Sequence, residues 1–319
     1  TVTRDGTGAE NVITFGGTTS MQPDMVWTKA RDEADGHHAI HDSVRGVSQW
    51  LRPNLNIAEE SPISDALTAY GSDGYTMGAD AVGYDFNEDD DTYVDWCWKA
   101  GTTSGISTNA ATDITPSGYS FSQDAGFSII EYTGNTDATT QLPHGLGAVP
   151  HYIMVKNVSH ADNWYVYHHK LTAAPETDYL HTNLTNATYD ADGIWGDTAP
   201  DSVNITLGTD PGVNDSGRQN MAYVWTEKQG YSKFGTYEGN GNADGTFVYT
   251  GFRPAFVMTK SFDSTSDWHM FDNKREGYNP DNDPLEGNDG AVEATTDMID
   301  ILSNGFKCRI ATDPNVAET

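Results

Sequence analysis

Pro23-Asp-Met-Val-Trp-Thr-Lys29, Pro150-His-Tyr-Ile-Met-Val-Lys156 and Pro254-Ala-Phe-Val-Met-Thr-Lys260 are three versions of one text. Each opens on proline, runs through apolar and β-branched residues, and closes on lysine. Such a run is too short for a typical helix and rich in side chains that suit a pleated surface, so it reads as a strand. One packed face, with the lysine at the wet end, is the simple expectation. A self-similar text outranks any single local propensity, because it defines a unit that the chain builds more than once.

Other strands recur in order around this anchor. Upstream, Gly126-Phe-Ser-Ile-Ile-Glu-Tyr-Thr-Gly-Asn135 matches Gly230-Tyr-Ser-Lys-Phe-Gly-Thr-Tyr-Glu-Gly-Asn240. Downstream, Trp164-Tyr-Val-Tyr167 matches Trp268-His-Met-Phe-Asp272, with His37-His-Ala-Ile-His-Asp42 in the same place. Asp42-Ser-Val-Arg45 pairs with Asp272-Asn-Lys-Arg275, and Ser72-Asp-Gly-Tyr75 with Ser303-Asn-Gly-Phe306. Asp-Gly and Asn-Gly both tolerate positive φ and mark tight turns. Tyr93-Val-Asp-Trp-Cys-Trp98 and Met221-Ala-Tyr-Val-Trp225 close the first two units. Short strands at turn-separated intervals predict an all-β chain of tandem β-sandwiches, jelly-roll or lectin-like, over 1–113, 114–228 and 229–319. Helical periodicity is nearly absent; Asp297 to Leu302 has room for one turn. The third unit stops before any Tyr-Val-Trp strand. Either the chain is trimmed, or the gap is filled by an N-terminal segment such as Val12-Ile-Thr-Phe15 or by a neighbouring subunit.

Composition limits the function. Acidic residues outnumber basic ones 47 to 17, a net charge of −30. No basic run is present, which argues against nucleic-acid binding and against adhesion to anionic lipid. The charge keeps copies apart and suits a salty medium, where repulsion is screened. Eight Trp, sixteen Tyr and eleven Phe supply the apolar area for a folded core. Two cysteines, Cys97 and Cys308, are too few for a disulfide scaffold and read as buried small hydrophobes. No apolar stretch is long enough to span a bilayer. Asn157, Asn183, Asn186 and Asn204 head glycosylation sequons, which matter only in a host that glycosylates.

Asp42-Ser-Val-Arg-Gly46, Ser72-Asp-Gly-Tyr-Thr-Met-Gly78, Tyr93-Val-Asp-Trp-Cys-Trp-Lys99, Gly230 to Gly241, Gly251-Phe-Arg-Pro-Ala-Phe-Val257 and Tyr278-Asn-Pro280 follow one another in order. In this the chain resembles the tandem-repeat β-sandwich family of tailed-phage surface and tail-fibre-like proteins, over nearly its whole length. The resemblance implies an extracellular virion-surface component: a tail fibre or receptor-binding part. Its implied partners are other virion proteins and a host-surface glycan or S-layer protein, and its implied state a homo-oligomer, a trimer by analogy with fibres. A capsid decoration or turret protein is the alternative, a glycan-cleaving tailspike the minor one. The family's text is less acidic, and no ligand is implied.

The residues themselves offer few sites. No nucleophile elbow is present, so the chain does not read as an enzyme. Trp195 and Asp197, in Gly193-Ile-Trp-Gly-Asp197, form a Gly/Asp loop in which an exposed Trp would stack on a sugar ring; the other reading is that Trp195 plugs its own core. Asn87, Asp89 and Asp91 alternate as in a calcium loop but lack the glycine and the final acid; Asp281, Asp283 and Asp289 make a second acidic loop. Solvated turns are the competing reading for both. His37 and His41 fall on one face of a strand, without a third metal ligand at a diagnostic spacing.

Overall fold

The computed structural model describes residues 1–81, 83–275, 279 and 282–317. The chain is all-β, 34% strand and 4% helix. The first third holds β1 (Val2–Asp5), β2 (Asn11–Thr14), β3 (Met25–Ala30), β4 (Ala39–Asp42), β5 (Leu67–Gly71), β6 (Gly74–Met77) and β7 (Thr92–Trp98). They make two sheets, β1-β7-β3-β4 and β2-β6-β5. The middle third holds β8 (Gly118–Ser122), β9 (Phe127–Thr133), β10 (Thr140–Pro143), β11 (Tyr152–Asn157), β12 (Trp164–His168), β13 (Asp178–His181), β14 (Tyr189–Asp190), β15 (Asn204–Leu207) and β16 (Gln219–Trp225). Here the sheets are β14-β13-β12-β11-β16-β9-β8 and β10-β15, with one-turn helices α1 (Asp192–Trp195) and α2 (Pro211–Asn214). The last third holds β17 (Phe247–Tyr249), β18 (Phe256–Thr259), β19 (His269–Asp272), β20 (Leu285–Glu286), β21 (Ile299–Leu302) and β22 (Gly305–Cys308), in sheets β18-β19-β20 and β17-β22-β21.

The anchor strands β3, β11 and β18 have two apolar faces, and the period of two explains what each does. Val26, Ile153 and Val257 face the cores enclosed by the paired sheets of their own thirds. Met25, Trp27 and Met154 point the other way, into a central core that Phe256 and Met258 also pack against. Residues from all three thirds fill that central core. Burial on both faces is why these strands read as nearly continuous apolar runs instead of alternating ones.

Interlocks around the central core follow one cyclic order. The ring nitrogens of Trp164, Trp268 and His38 occupy matching registers, each meeting a carbonyl of the next third: Trp164 Nε1 donates to Arg52 O (3.0 Å), Trp268 Nε1 to His181 O (2.9 Å), and His38 Nε2 lies 3.0 Å from Glu286 O. Closing-strand rings run the same way. Tyr223 OH donates to Asp42 Oδ2 (2.8 Å) and Trp96 Nε1 to Asp272 Oδ2 (3.2 Å). Each of those carboxylates is also held by the arginine three residues on, Arg45 at 2.6 Å and Arg275 at 2.8 Å. Arg45 and Arg275 each donate back to a β-strand carbonyl, Ile40 O and Met270 O (both 2.9 Å).

Several expectations are corrected. Two of the three anchor lysines do not reach water at the strand end; Lys260 is half-buried. Lys29 and Lys156 are fully buried, each amine bonded to the next residue's carbonyl, Ala30 O (2.5 Å) and Asn157 O (2.6 Å). Burial pushes both ammonium groups down to about 8. Ile299–Leu302 is a strand rather than a helical turn, because it hairpins with β22 across Ser303-Asn304. Val12–Phe15 does not fill the third unit: β2 pairs with β6. His41 is buried with Nδ1 on Gln49 O (3.0 Å), and His37 Nδ1 lies against Asn54 Nδ2 (2.8 Å), so the two do not share a face toward solvent. Cys308 is buried, Cys97 is half-buried, and neither is in a disulfide.

Candidate functional site

A cleft of about 740 Å³ opens beside β18. In the first third β7 lies between β3 and β1; in the middle third β16 lies between β11 and β9. Among the described residues of the last third, β18 pairs with β19 alone, and the stretch matching β9, residues 231–239, forms no ladder with it. Both segments line the cleft. Its inner wall is aromatic: Trp98 packs against Trp225 and Phe256 at centroid distances of 6.2 and 5.8 Å, and Tyr152 stacks on Phe234 at 5.7 Å. At its rim, Tyr231, Tyr249 and Val316 are 60, 65 and 51% exposed.

Two polar groups brace this cleft. His151, His169 and Glu227 bring one ligand atom each within 4.8 Å of one another, the one such His/Cys/Asp/Glu group among the described residues. Their hydrogen bonds tie down the cleft wall. Glu227 accepts from Phe234 N (3.0 Å) and pairs with Lys233 (3.2 Å), His169 Nε2 lies 3.1 Å from Phe234 O, and the Glu227 N–H donates to His151 Nδ1 (3.1 Å). Burial lowers both histidines, which favours the neutral form. On the far side His269 sits between Glu286 (3.0 Å) and Asp313 (3.3 Å). Burial alone would lower it, but the hydrogen bonds and charges of Asp313 and Glu286 raise it to about 9. The sequence offers His169 only beside His168; His151 and Glu227 were missed because they share no local spacing with it, and only the folded sheet brings the three together.

The residues singled out from the sequence fall elsewhere. Trp195 is 2% exposed, ends α1, and donates Nε1 to Asp178 O (3.0 Å). It plugs the core of its own sandwich and has no face for a sugar. Asp197, at φ 47°, lines a shallow depression with Asp192 and Gly193. Asn87 is fully buried, and its amide is spent. Nδ2 donates to Gly78 O (2.7 Å) and Ala9 O (2.6 Å), while Oδ1 accepts from Arg4 and Asn11 (3.3 and 3.1 Å). Asp89 is exposed, and Asp91 accepts from Tyr93 OH (3.3 Å), so these three do not gather as calcium ligands. Asp289 accepts from Ala291 N (2.8 Å) in a turn, Asp283 is half-buried, and Asp281, with Tyr278 and Pro280, lies outside the described residues. Asn157, Asn183 and Asn204 are buried; Asn186 is the exposed sequon.

Asn87 has two counterparts. Asn214 Nδ2 donates to Gly208 O (2.8 Å) and Asp137 O (3.1 Å), and Asn315 Nδ2 to Ile310 O and Asn242 O (both 2.8 Å). Beside each, a glycine admits the backbone of the residue after: a Cβ on Gly6, Gly134 or Gly239 would lie 1.7, 2.4 or 2.1 Å from a carbonyl oxygen. β7 opens at Thr92 and β16 at Gln219, each five residues past its asparagine.

Fold and site together define an all-β protein of interlocked paired sheets with an aromatic-walled cleft. Residues 1–318 match the model of the domain of unknown function DUF7483, and the chain belongs to that family. No curated protein and no solved structure matches it.

Proposed function

We propose that this chain is a structural component of the surface of a tailed-virus particle, a tail fibre or receptor-binding part that attaches the particle to its host. The observation that carries the reading is how its shared motifs are spent. Asp42-Ser-Val-Arg45, among the residues that resemble tailed-phage surface proteins, and its internal counterpart Asp272-Asn-Lys-Arg275 are used up in buried interlocks around the central core. Such a body has little to move and suits a spacer or holdfast. Many copies on one particle turn weak contacts into firm attachment. The strong negative charge keeps such copies from clumping. Calcium has no gathered ligand set in the first acidic loop, and the reading does not require it.

Gold-labelled antibody against the chain, applied to particles that carry it, tests the proposal. Label on fibres or the tail tip, with loss of adsorption when antibody fragments are added, is expected. Label spread over the head would replace attachment by capsid decoration. Release of reducing sugar from host surface glycan by the purified chain would replace it by a tailspike activity.

A further inference from the structure

We infer that His151, His169 and Glu227 form a binding site for one divalent transition-metal ion of the zinc class. Three neighbouring strands deliver these side chains to one end of the seven-stranded sheet. His151 directly precedes β11, His169 directly follows β12, and Glu227 lies two residues past β16. Backbone bonds continue the ladder there: His169 N donates to His151 O (3.0 Å), and His151 N to Trp225 O (2.8 Å). The ligands therefore stand on paired strands, which hold a site more precisely than loops do. All three lie in the middle third and are half-buried, which leaves a cation a path in from solvent.

The chemistry of the donor set selects the ion. Two imidazoles and one carboxylate suit zinc and its neighbours, whereas calcium and magnesium ask for oxygen on every side. The outer contacts are those that orient metal ligands. His169 Nε2 lies 3.1 Å from Phe234 O; a carbonyl only accepts, so the ring donates there and keeps its lone pair on Nδ1. Glu227 Oε1 accepts from Phe234 N (3.0 Å), which aims the carboxylate, while Oε2 pairs with Lys233 (3.2 Å). Oε2 is thus the oxygen that can turn from a half-exposed ammonium to a cation. His151 needs one rearrangement. Its Nδ1 accepts from Glu227 N and lies 3.1 Å from Thr226 Oγ1, whose own hydrogen is given to Val149 O (2.9 Å). That hydroxyl can accept, so the ring hydrogen can move to Nδ1 and free Nε2 for the ion. Metal bonds of about 2.1 Å set tetrahedral ligands about 3.4 Å apart, so donor atoms now within 4.8 Å close by about 1.4 Å at most. Small side-chain rotations supply that, and a fourth position remains for water.

Equilibrium dialysis of the full chain against Zn2+ tests the site, with excess Mg2+ present to occupy the acidic surface. We expect one ion per chain at micromolar Zn2+. His151→Gln, His169→Gln and Glu227→Gln should each weaken binding at least tenfold, and His160→Gln, at an exposed histidine outside the cluster, should leave it unchanged. Lys233→Met keeps the stem and removes the competing ammonium, so it should tighten binding at least threefold; this arm stands even if the histidine variants fail to fold. On the natural chain, substoichiometric Co2+ should broaden the ring proton signals of His151 and His169 and leave those of His160 sharp. Absence of binding at millimolar Zn2+, equal binding by the three cluster variants, weaker or unchanged binding by Lys233→Met, or broadening centred on other histidines would overturn the inference. None of these readings depends on where the protein sits on a particle, so the attachment proposal and this one fail separately.

Discussion

Asn87 looks like the first ligand of a calcium loop in the sequence, and its amide instead ties three backbone segments together. The chemistry separates the two readings, since the buried site needs N–H donors toward Gly78 O and Ala9 O, which a carboxylate lacks. Asn87→Asp would improve a calcium ligand, yet it should destabilise the fold by about 3 kcal/mol in urea titrations, the scale of unpaired buried carbonyls. Millimolar calcium should not restore the loss. His269 gives a pH signature of its own. Its folded value, about 9, lies above the ordinary value of 6.5, so its pairing with Asp313 and Glu286 contributes fully below about pH 6.5 and is lost as pH rises through 9. The stability gap between the natural chain and His269→Gln, measured by denaturant at pH 6 and pH 9.5, should shrink to near zero at the higher pH. A gap that does not change would show that His269 is held neutral.

At the scale of elements, the turns after β4 and β19 do more than reverse the chain. Asp272 and Arg275 are 0 and 2% exposed, and the carboxylate also accepts from Trp96 of another third. Asp272→Asn leaves a buried guanidinium short of its counter-charge, which should cost about 3 kcal/mol or more by equilibrium unfolding. Combining Asp272→Leu with Arg275→Met should recover much of that loss. Elements were unevenly legible in the sequence. The proline-to-lysine strands and the tight turn within Ser303-Asn-Gly-Phe306 were readable because strand period and turn chemistry are local. α1 was not, because a one-turn helix has no periodicity to detect, and Trp195 within it looked like an exposed loop residue until packing placed it in a core.

At the scale of the whole molecule, the shared central core joins what the sequence presents as separate units. Met25, Trp164, Tyr223, Trp268 and Met270 all lie in it, so one third cannot open without baring the apolar faces of the others. Scanning calorimetry of the full chain should therefore give one cooperative transition; resolved, independent transitions would show that the central core contributes little. The cleft beside β18 belongs to this scale too, since segments far apart in the chain line it.

The amino-acid sequence alone determined the all-β class and the order of the strands, because both rest on spacing between near neighbours in the chain. Only the tertiary structure decided that Lys29 and Lys156 are buried, that Asn87 and Trp195 serve the interior, and that a cleft opens beside β18. Those outcomes depend on what faces a side chain across sheets, and residues far apart in the chain supply that.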